Sequence, residues 1–331
     1  MLTDLFVLLA GLMLIIKGGD LFVAAAVRIA EFLRMPRVVI GSTLVSLTTT
    51  MPEVVVSVTA GLREESDLAL GNAVGSCICN LALILGVTAV IKQVAVHPKT
   101  LRVPLAAMAG FGVLVFLMTL DLALVRWQGL LLLAGGGGYF AWDFWRHWRA
   151  RAPAELREAA VIEHDLAQMD APRLRWFQTR AGTAVQFAAA AAIVVVGSRL
   201  LVDGASSVAA ALGIPTIVIG LTIVSVGTSL PELVTAITSA RKAVSDLAVG
   251  NLLGANIANL TLVVGAAAAI HDIGMSRVTQ LFNFPALLFL MGLLCWMLVK
   301  EPRLTRLEGK VLLACYAAYL AAVVGIAVTG H

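Results

Sequence analysis

The chain has 331 residues and a formal net charge of +4 at pH 7, and it is 60% hydrophobic but only 13% charged. Its mean hydropathy is +0.95. This composition excludes a water-soluble globular protein and indicates a lipid bilayer as the surroundings of most of the chain, with no nucleic-acid partner.

Apolar runs of about 20 residues, the length needed to cross a bilayer core, recur along the whole chain. They predict an all-α membrane protein with ten transmembrane helices. The predicted spans are 4–33, 37–61, 67–91, 101–120, 124–142, 182–211, 216–240, 246–270, 279–299 and 307–329.

The loops between these spans alternate in charge. One set holds most of the basic residues, namely Arg34, Arg37, Lys92, Lys99, Arg102, the segment 146–180, Arg241, Lys242, Lys300, Arg303 and Arg306. The other set holds Glu64, Glu65, Asp67, Asp121 and Asp272. Because short cytoplasmic loops retain Lys and Arg, the basic set is predicted to be cytoplasmic. Ten spans then place both termini outside, in what we expect to be a prokaryotic plasma (inner) membrane.

An internal repeat divides the chain into two similar parts. The segment PRVVIGSTLVSLTTTMPEVVVSVTAGLREESDLALGNAVGSCICNLALILG (36–86) aligns without a gap to PTIVIGLTIVSVGTSLPELVTAITSARKAVSDLAVGNLLGANIANLTLVVG (215–265). The offset is 179 residues (232 − 53 for the two central glutamates), and about half of the aligned positions are identical.

Each half contains an odd number of spans, so the second copy starts on the opposite side of the membrane. This predicts two inverted five-helix repeats, a design typical of secondary transporters. We assign the first repeat to residues 1–142, a cytoplasmic linker to 143–181 and the second repeat to 182–331.

The segment SLTTTMPEVVV (46–56) places hydroxyls and a carboxylate inside an apolar span. Ser46, Thr49, Thr50 and Glu53 have the spacing i, i+3, i+4, i+7, which puts them on one helix face. Pro52 lacks an N–H and therefore frees backbone carbonyls in the preceding turn. The second half repeats the pattern, and the counterparts there are Ser225, Thr228, Ser229, Pro231 and Glu232.

The next span of each half adds a row of amides at i, i+4, i+8. The rows are Asn72, Ser76 and Asn80 in the first half, and Asn251, Ala255 and Asn259 in the second. The glycines on these spans, Gly71, Gly75, Gly250 and Gly254, are interpreted as surfaces for close helix packing.

An ionised glutamate at the centre of a membrane helix costs on the order of 3 kcal/mol or more, so two of them indicate compensation by a cation or a proton. Carboxylate, amide, hydroxyl and carbonyl oxygens suit hard cations such as Ca²⁺. Two further charged pairs, Lys17 with Asp20 and Arg199 with Asp203, either line a gate or ion vestibule or neutralise each other within one helix, and the second interpretation is favoured.

The duplicated motifs TTTMPE with GNAVGSCICN, and GTSLPE with GNLLGANIAN, resemble the two alpha repeats of the sodium/calcium exchanger family within the calcium/cation antiporter superfamily. The resemblance implies an alternating-access antiporter in which an eight-helix core holds the ions and the first and sixth helices slide past it. It implies side-chain ligands at Thr49, Thr50, Glu53, Ser76 and Asn80, and at Thr228, Ser229, Glu232 and Asn259. Backbone carbonyls of Ser46 and Ser225 complete the implied set.

The sequence departs from the family pattern at several of these positions. Thr48 replaces a glycine, Cys77 an asparagine, Ala255 a serine, and Asn259 stands where the family often has an aspartate. One fewer potential charge leaves two counter-ions open, Na⁺ and H⁺. The leading prediction is exchange of Ca²⁺ for Na⁺, and the alternative is a proton-coupled antiporter of Ca²⁺ or another divalent cation such as Mn²⁺.

A passive channel and an intramembrane enzyme are the competing classes. Inverted repeats around one central site favour an antiporter over a channel. The sequence contains neither an HExxH motif nor a nucleophile paired with a base, so it gives no indication of an enzyme. We therefore expect no enzymatic activity, no cofactor beyond the transported ions, and no obligatory protein partner.

Overall fold

The computed structural model describes residues 2–64, 66–95, 98–149, 175–212, 225–301 and 303–329. The helices, numbered in chain order, are α1 (Leu2–Leu33), α2 (Arg37–Thr49), α3 (Met51–Leu62), α4 (Ser66–Ile78, Cys79–Ile84 and Leu85–Ile91), α5 (Pro98–Met118), α6 (Arg126–Arg149), α7 (Arg180–Ala211), α8 (Leu230–Arg241), α9 (Ser245–Ala258, Asn259–Val263 and Val264–Ile270), α10 (Thr279–Asn283 and Phe284–Lys300) and α11 (Arg306–Thr329). Single helical turns lie at Arg175–Gln178 and Ser225–Gly227.

The described part of the chain is helical, as the apolar runs predict. Seven of its helices are long and apolar enough to cross a membrane, and the bent pair α2 and α3 makes eight if it is counted as one span. The predicted fifth span corresponds to α6, which is 24 residues long. The first residues of the predicted seventh span, 216–224, lie outside the described part. Most of the predicted linker, residues 150–174, also lies outside it.

The distribution of side chains is that of a protein in lipid. Large apolar side chains lie exposed on the outer surface, among them Phe6, Phe289 and Val299, which is 84% exposed. Polar side chains such as Glu53 and Glu232 are fully buried. Because this arrangement would be unfavourable in water, it supports an integral membrane protein.

The internal repeat is visible in the backbone. A left-handed residue lies two positions after the end of each of the helices α3 and α8, namely Glu64 (φ 61°) and Ala243 (φ 62°), which are repeat counterparts at the same offset of 179. Both α4 and α9 contain a π-helical turn, at Cys79–Ile84 and Asn259–Val263. The two halves therefore share local backbone irregularities as well as sequence.

Four two-residue strands lie in the loops between helices, which the apolar pattern did not predict. Strand β1 (Val94–Ala95) pairs antiparallel with β4 (Arg303–Leu304), and β2 (Ala123–Leu124) pairs antiparallel with β3 (Ile273–Gly274). Each pair joins one half of the chain to the other. By the repeat offset β1 corresponds to β3, so the repeat relates the two pairings to each other.

Helices α1 and α7 pack closely along their lengths through glycines. A Cβ atom added to Gly11 would lie 2.6 Å from the backbone nitrogen of Leu201. One added to Gly204 would lie 2.7 Å from the backbone nitrogen of Leu8. Small residues permit this backbone contact.

Candidate cation-binding site

A helix break positions the central glutamate of the first half. Helices α2 and α3 meet at Thr50 with a bend of 43°. Pro52 lies in the first turn of α3, where a missing N–H is tolerated, and Glu53 follows it, fully buried. The carboxylate thus lies at the positive end of the α3 dipole. The helix break lies in the turn before Pro52, where freed carbonyls were predicted.

The second half repeats this local structure. Ser229 precedes α8 with φ −87° and ψ 9°, Pro231 lies in the first helical turn, and Glu232 is fully buried. The N–H of Ser229 donates to the carbonyl of Val226 at 3.1 Å. The equivalent N–H of Thr50 donates to the carbonyl of Ser46 at 2.9 Å, one residue further back. The two breaks are similar but differ by this one hydrogen bond.

The carboxylates of the two halves meet hydroxyls of the opposite half. Thr50 Oγ1 lies 3.4 Å from Glu232 Oε1, and Ser229 Oγ lies 3.4 Å from Glu53 Oε1. Thr50 and Ser229 are repeat counterparts, as are the glutamates. The two contacts are therefore the same interaction made twice, and they bring both glutamates to one place between the halves.

A second reciprocal pair surrounds the first. Thr49 Oγ1 donates to Asn251 Oδ1 at 3.2 Å, and Thr228 Oγ1 donates to Asn72 Oδ1 at 3.4 Å. The Asn72 amide also donates to the Glu53 carbonyl at 3.3 Å. These two asparagines were placed on the polar helix face by their spacing but were not predicted as part of the ligand set.

Ser46, Ser225 and Asn80 are also among the predicted ligand residues. Ser46 is fully buried, and its carbonyl accepts the Thr50 N–H at 2.9 Å and lies 3.3 Å from Thr49 Oγ1. Ser225 begins the helical turn before α8, and its side chain lies outside the described part. Asn80 lies in a π-helical turn and donates to Asn256 Oδ1 at 3.0 Å.

Many buried polar atoms here have no hydrogen-bond partner among the described residues. They are Glu53 Oε2, Glu232 Oε2, Ser76 Oγ, Asn80 Oδ1, Asn251 Nδ2, and both Oδ1 and Nδ2 of Asn259. Leaving such groups unpaired costs about 1 to 3 kcal/mol each and more for a charge. Five of the residues in this set supply oxygens, which are the donors that a hard cation requires.

The close-packing role predicted for the glycines is confirmed in the second half. A Cβ atom at Gly250 would collide with the carbonyl oxygen of Val38, and one at Gly254 with the carbonyl oxygen of Ser42 and with Ser46 Oγ. Helix α9 is thereby pressed against α2. In the first half, the counterparts of Val38 and Ser42 fall at 217 and 221, outside the described part.

A cavity of about 150 Å³ leads to this region from one side. It is bounded by α3, α7 and the start of α8, and Thr228 lies on its wall. Arg199 and Asp203 also line it. Thus a cavity with two charged residues on its wall reaches Thr228, one of the predicted ligand residues.

The predicted neutralisation of Asp20 by Lys17 is wrong. Asp20 Oδ1 instead lies 3.2 Å from Lys242 Nζ at the end of α8. The pair joins α1 to the second half, and Gly19 beside it packs against Val234 of α8. Helix spacing alone favoured the local partner, but the close approach of α1 and α8 supplies a better one.

Comparisons with known proteins identify the family of the chain. The sequence model of the family described as "Sodium/calcium exchanger protein" matches residues 3–143 and 182–325. "Inner membrane protein YrbG" of Escherichia coli (strain K12) is 35% identical over 312 residues, covering 91% of each chain. "Sodium/calcium exchanger MaX1" of Methanosarcina acetivorans is 29% identical, covering 96% of this chain and 97% of that one.

A solved structure of similar fold is also known. It is the sodium-calcium exchanger NCX_Mj soaked with 2.5 mM Na⁺ and 0.1 mM Ca²⁺. It superposes with a TM-score of 0.80 and 28% sequence identity, covering 96% of this chain and 98% of the other.

The fold, the paired carboxylates and these similarities define an integral membrane protein of the cation antiporter class. More particularly, the chain belongs to the sodium/calcium exchanger protein family, whose model matches both halves. The resemblance seen in the duplicated motifs is confirmed.

Proposed function

We propose that this protein is a secondary active antiporter that exchanges Ca²⁺ for Na⁺ across the membrane by alternating access. The observation that carries the proposal is the reciprocal pair of contacts, Thr50 with Glu232 and Ser229 with Glu53. It unites two formal negative charges, the number needed to neutralise one divalent cation. Relatives named as sodium/calcium exchangers support the choice of ions.

The distances between these oxygens suit a shared ion better than a hydrogen bond. An O–H···O hydrogen bond is usually 2.7–2.8 Å long, whereas both contacts are 3.4 Å. Two oxygens bound to one Ca²⁺ at about 2.4 Å and at right angles lie about 3.4 Å apart. The hydroxyls and carboxylates would therefore need to move little when the substrate cation binds between them.

The proposed ligands combine both halves. They are the side chains of Thr49, Thr50, Glu53, Ser76, Asn80, Thr228, Ser229, Glu232 and Asn259, with the carbonyls of Ser46 and Ser225. Overlap of the Na⁺ and Ca²⁺ positions would couple their opposite movements, because occupation by one ion excludes the other. No resident cofactor is required for this exchange.

We propose ten transmembrane helices arranged as two inverted five-helix repeats, 1–142 and 182–331, joined by the linker 143–181. Two observations support this topology. The β1–β4 and β2–β3 pairs each join loops that ten spans would place on the same side. His271 Nε2 also lies 3.7 Å from Glu64 Oε1, joining two loops of the acidic set.

Cysteine labelling tests the proposed orientation. Asp121→Cys, in an acidic loop, is expected to react with a membrane-impermeant thiol reagent added to intact cells. Arg303→Cys, in a basic loop, is expected to react only after permeabilisation. The wild-type chain gives the background, since its four cysteines lie within helices. The reverse labelling pattern would invert the topology, and labelling of both from outside would refute the span count.

The alternative is a proton-coupled antiporter of Ca²⁺ or another divalent cation such as Mn²⁺. The observation that favours it is the neutral, fully buried Asn259, which leaves only two carboxylates in the described site. Two carboxylates can carry two protons in place of one divalent ion, without any sodium site.

Transport by the purified protein in liposomes distinguishes these candidates. Ca²⁺ uptake is measured under an outward Na⁺ gradient, an outward H⁺ gradient, or neither. We expect uptake with the Na⁺ gradient and little with the others, because Na⁺ competes for the same oxygens. Uptake driven by H⁺ alone would establish the alternative. Uptake that ignores both gradients would overturn the antiporter and leave a passive channel.

A further inference from the structure

A chain of three buried side chains leads away from Asn80 to helix α5. The Asn80 amide nitrogen donates to Asn256 Oδ1 at 3.0 Å, and the Asn256 amide nitrogen contacts Met108 Sδ at 3.5 Å. All three residues are fully buried. Asn80 Oδ1 is left without a hydrogen-bond partner among the described residues.

The sulfur at the end of this chain determines its direction. A thioether can accept a hydrogen bond but cannot donate one. Asn256 therefore turns its NH₂ group towards Met108 and its oxygen towards Asn80. Asn80 must then turn its own NH₂ group to Asn256, which leaves its oxygen directed elsewhere. A flip of either amide would set two acceptors or two donors against each other.

We propose that Asn256 and Met108 are positioning residues that hold the Asn80 amide with its oxygen, and not its NH₂ group, presented to the transported cation. The inference rests on the proposed function in placing a cation beside Asn80. It assigns a role to two residues outside the ligand set. An NH₂ group aimed at the site would repel the cation, so the orientation determines whether Asn80 binds it.

The second half lacks this arrangement. At the offset of 179, Cys77 stands at the position of Asn256 and Leu287 at that of Met108. Cys77 and Leu287 together cannot orient a neighbouring amide as strongly as the pair of Asn256 and Met108 does. Accordingly, both Oδ1 and Nδ2 of Asn259, the counterpart of Asn80, have no hydrogen-bond partner among the described residues. The two halves thus present one oriented amide and one unoriented amide.

Isosteric substitution separates orientation from packing. Asn256→Leu keeps the volume but removes the acceptor for Asn80, and it is expected to raise the cation dissociation constant about tenfold, the equivalent of one lost hydrogen bond. Met108→Leu removes the sulfur at a similar side-chain volume, and an increase of about threefold is expected because the amides can then flip together. Met291→Leu is the matched control, since Met291 is a buried methionine that packs against Gly112 on another helix.

The double variant provides the sharpest test. If Met108 acts only through Asn256, then Met108→Leu has no further effect on the dissociation constant in the Asn256→Leu background. Binding of Ca²⁺, Mn²⁺ and Na⁺ is measured separately by calorimetry on the purified proteins, together with the maximal exchange rate. Independent, multiplicative effects of the two substitutions would overturn the proposal, as would a loss of exchange rate at unchanged affinity.

A spectroscopic measurement decides the matter even if none of these ions binds. In protein labelled with ¹⁵N-asparagine, the side-chain NH₂ signals of Asn80 are assigned by their loss in Asn80→Asp. We expect these signals to shift in Asn256→Leu and in Met108→Leu but to stay unchanged in Met291→Leu. Unchanged Asn80 signals in the first two variants would overturn the positioning role. Failure of the wild type to bind any of the ions would instead overturn the proposed function.

Discussion

Glu53→Gln is expected to abolish cation exchange while the protein still inserts into the membrane. Glutamine keeps the shape of the side chain but removes one of the two charges that would neutralise a divalent cation. Removing one partner of a buried charge pair costs about 3 to 5 kcal/mol, so we expect Ca²⁺-driven exchange in liposomes to fall at least about a hundredfold. Because the halves are related by the repeat, Glu232→Gln is expected to have the same effect.

Two further variants serve as controls for this experiment. Glu301→Gln removes a carboxylate that is exposed and paired with Arg303 at 2.8 Å, and it should exchange ions at the wild-type rate. Glu53→Asp keeps the charge at a shorter reach and should retain part of the activity. Full exchange by Glu53→Gln or by Glu232→Gln would show that the substituted glutamate is no central ligand.

Gly254→Ala is expected to have the second largest effect, on both stability and exchange. The added Cβ atom would collide with the Ser42 carbonyl oxygen and with Ser46 Oγ, which lie on α2. Overpacking usually costs about 1 to 3 kcal/mol, and here the obstacle includes backbone that cannot rotate away. Since Ser46 belongs to the proposed ligand set, the displacement of α2 should also reduce exchange at least about tenfold.

Thermal unfolding and liposome exchange measure the two effects together. Gly292→Ala is the matched control, because none of the described residues lies within 4 Å of a Cβ atom at that exposed position. It should leave the melting temperature and the exchange rate unchanged. Wild-type behaviour of Gly254→Ala would mean that α2 and α9 are not in direct backbone contact.

The duplicated sequence was sufficient to predict the centre of the candidate site. A repeat with one carboxylate and two adjacent hydroxyls in each copy predicts a symmetric arrangement, and the reciprocal contacts of Thr50 and Ser229 are its geometric form. The repeat could not predict the role of a residue that differs from its counterpart in the other half. Asn256 was overlooked because its counterpart is Cys77, although that mismatch was the signal that could have found it.

Contacts between distant helices were also beyond the sequence pattern. The Asp20–Lys242 pair depends on how closely α1 approaches α8, which no spacing within α1 can indicate. The four strands are two residues each, too short to show the alternation by which a strand is recognised. The π-helical turns at Cys79–Ile84 and Asn259–Val263 likewise have no periodic signature, yet Asn80 and Asn259 lie in them.

The two strand pairs have a mechanical consequence. Because β1–β4 and β2–β3 join the halves through the loops around α5, α6, α10 and α11, these helices cannot separate without breaking both backbone pairings. Helices α1 and α7 carry no strand and pack mainly on each other through glycines. In the proposed alternating-access antiporter, we therefore expect the helices joined by the strands to stay together around the ligands, and α1 and α7 to move against them as the Asp20–Lys242 pair breaks and re-forms.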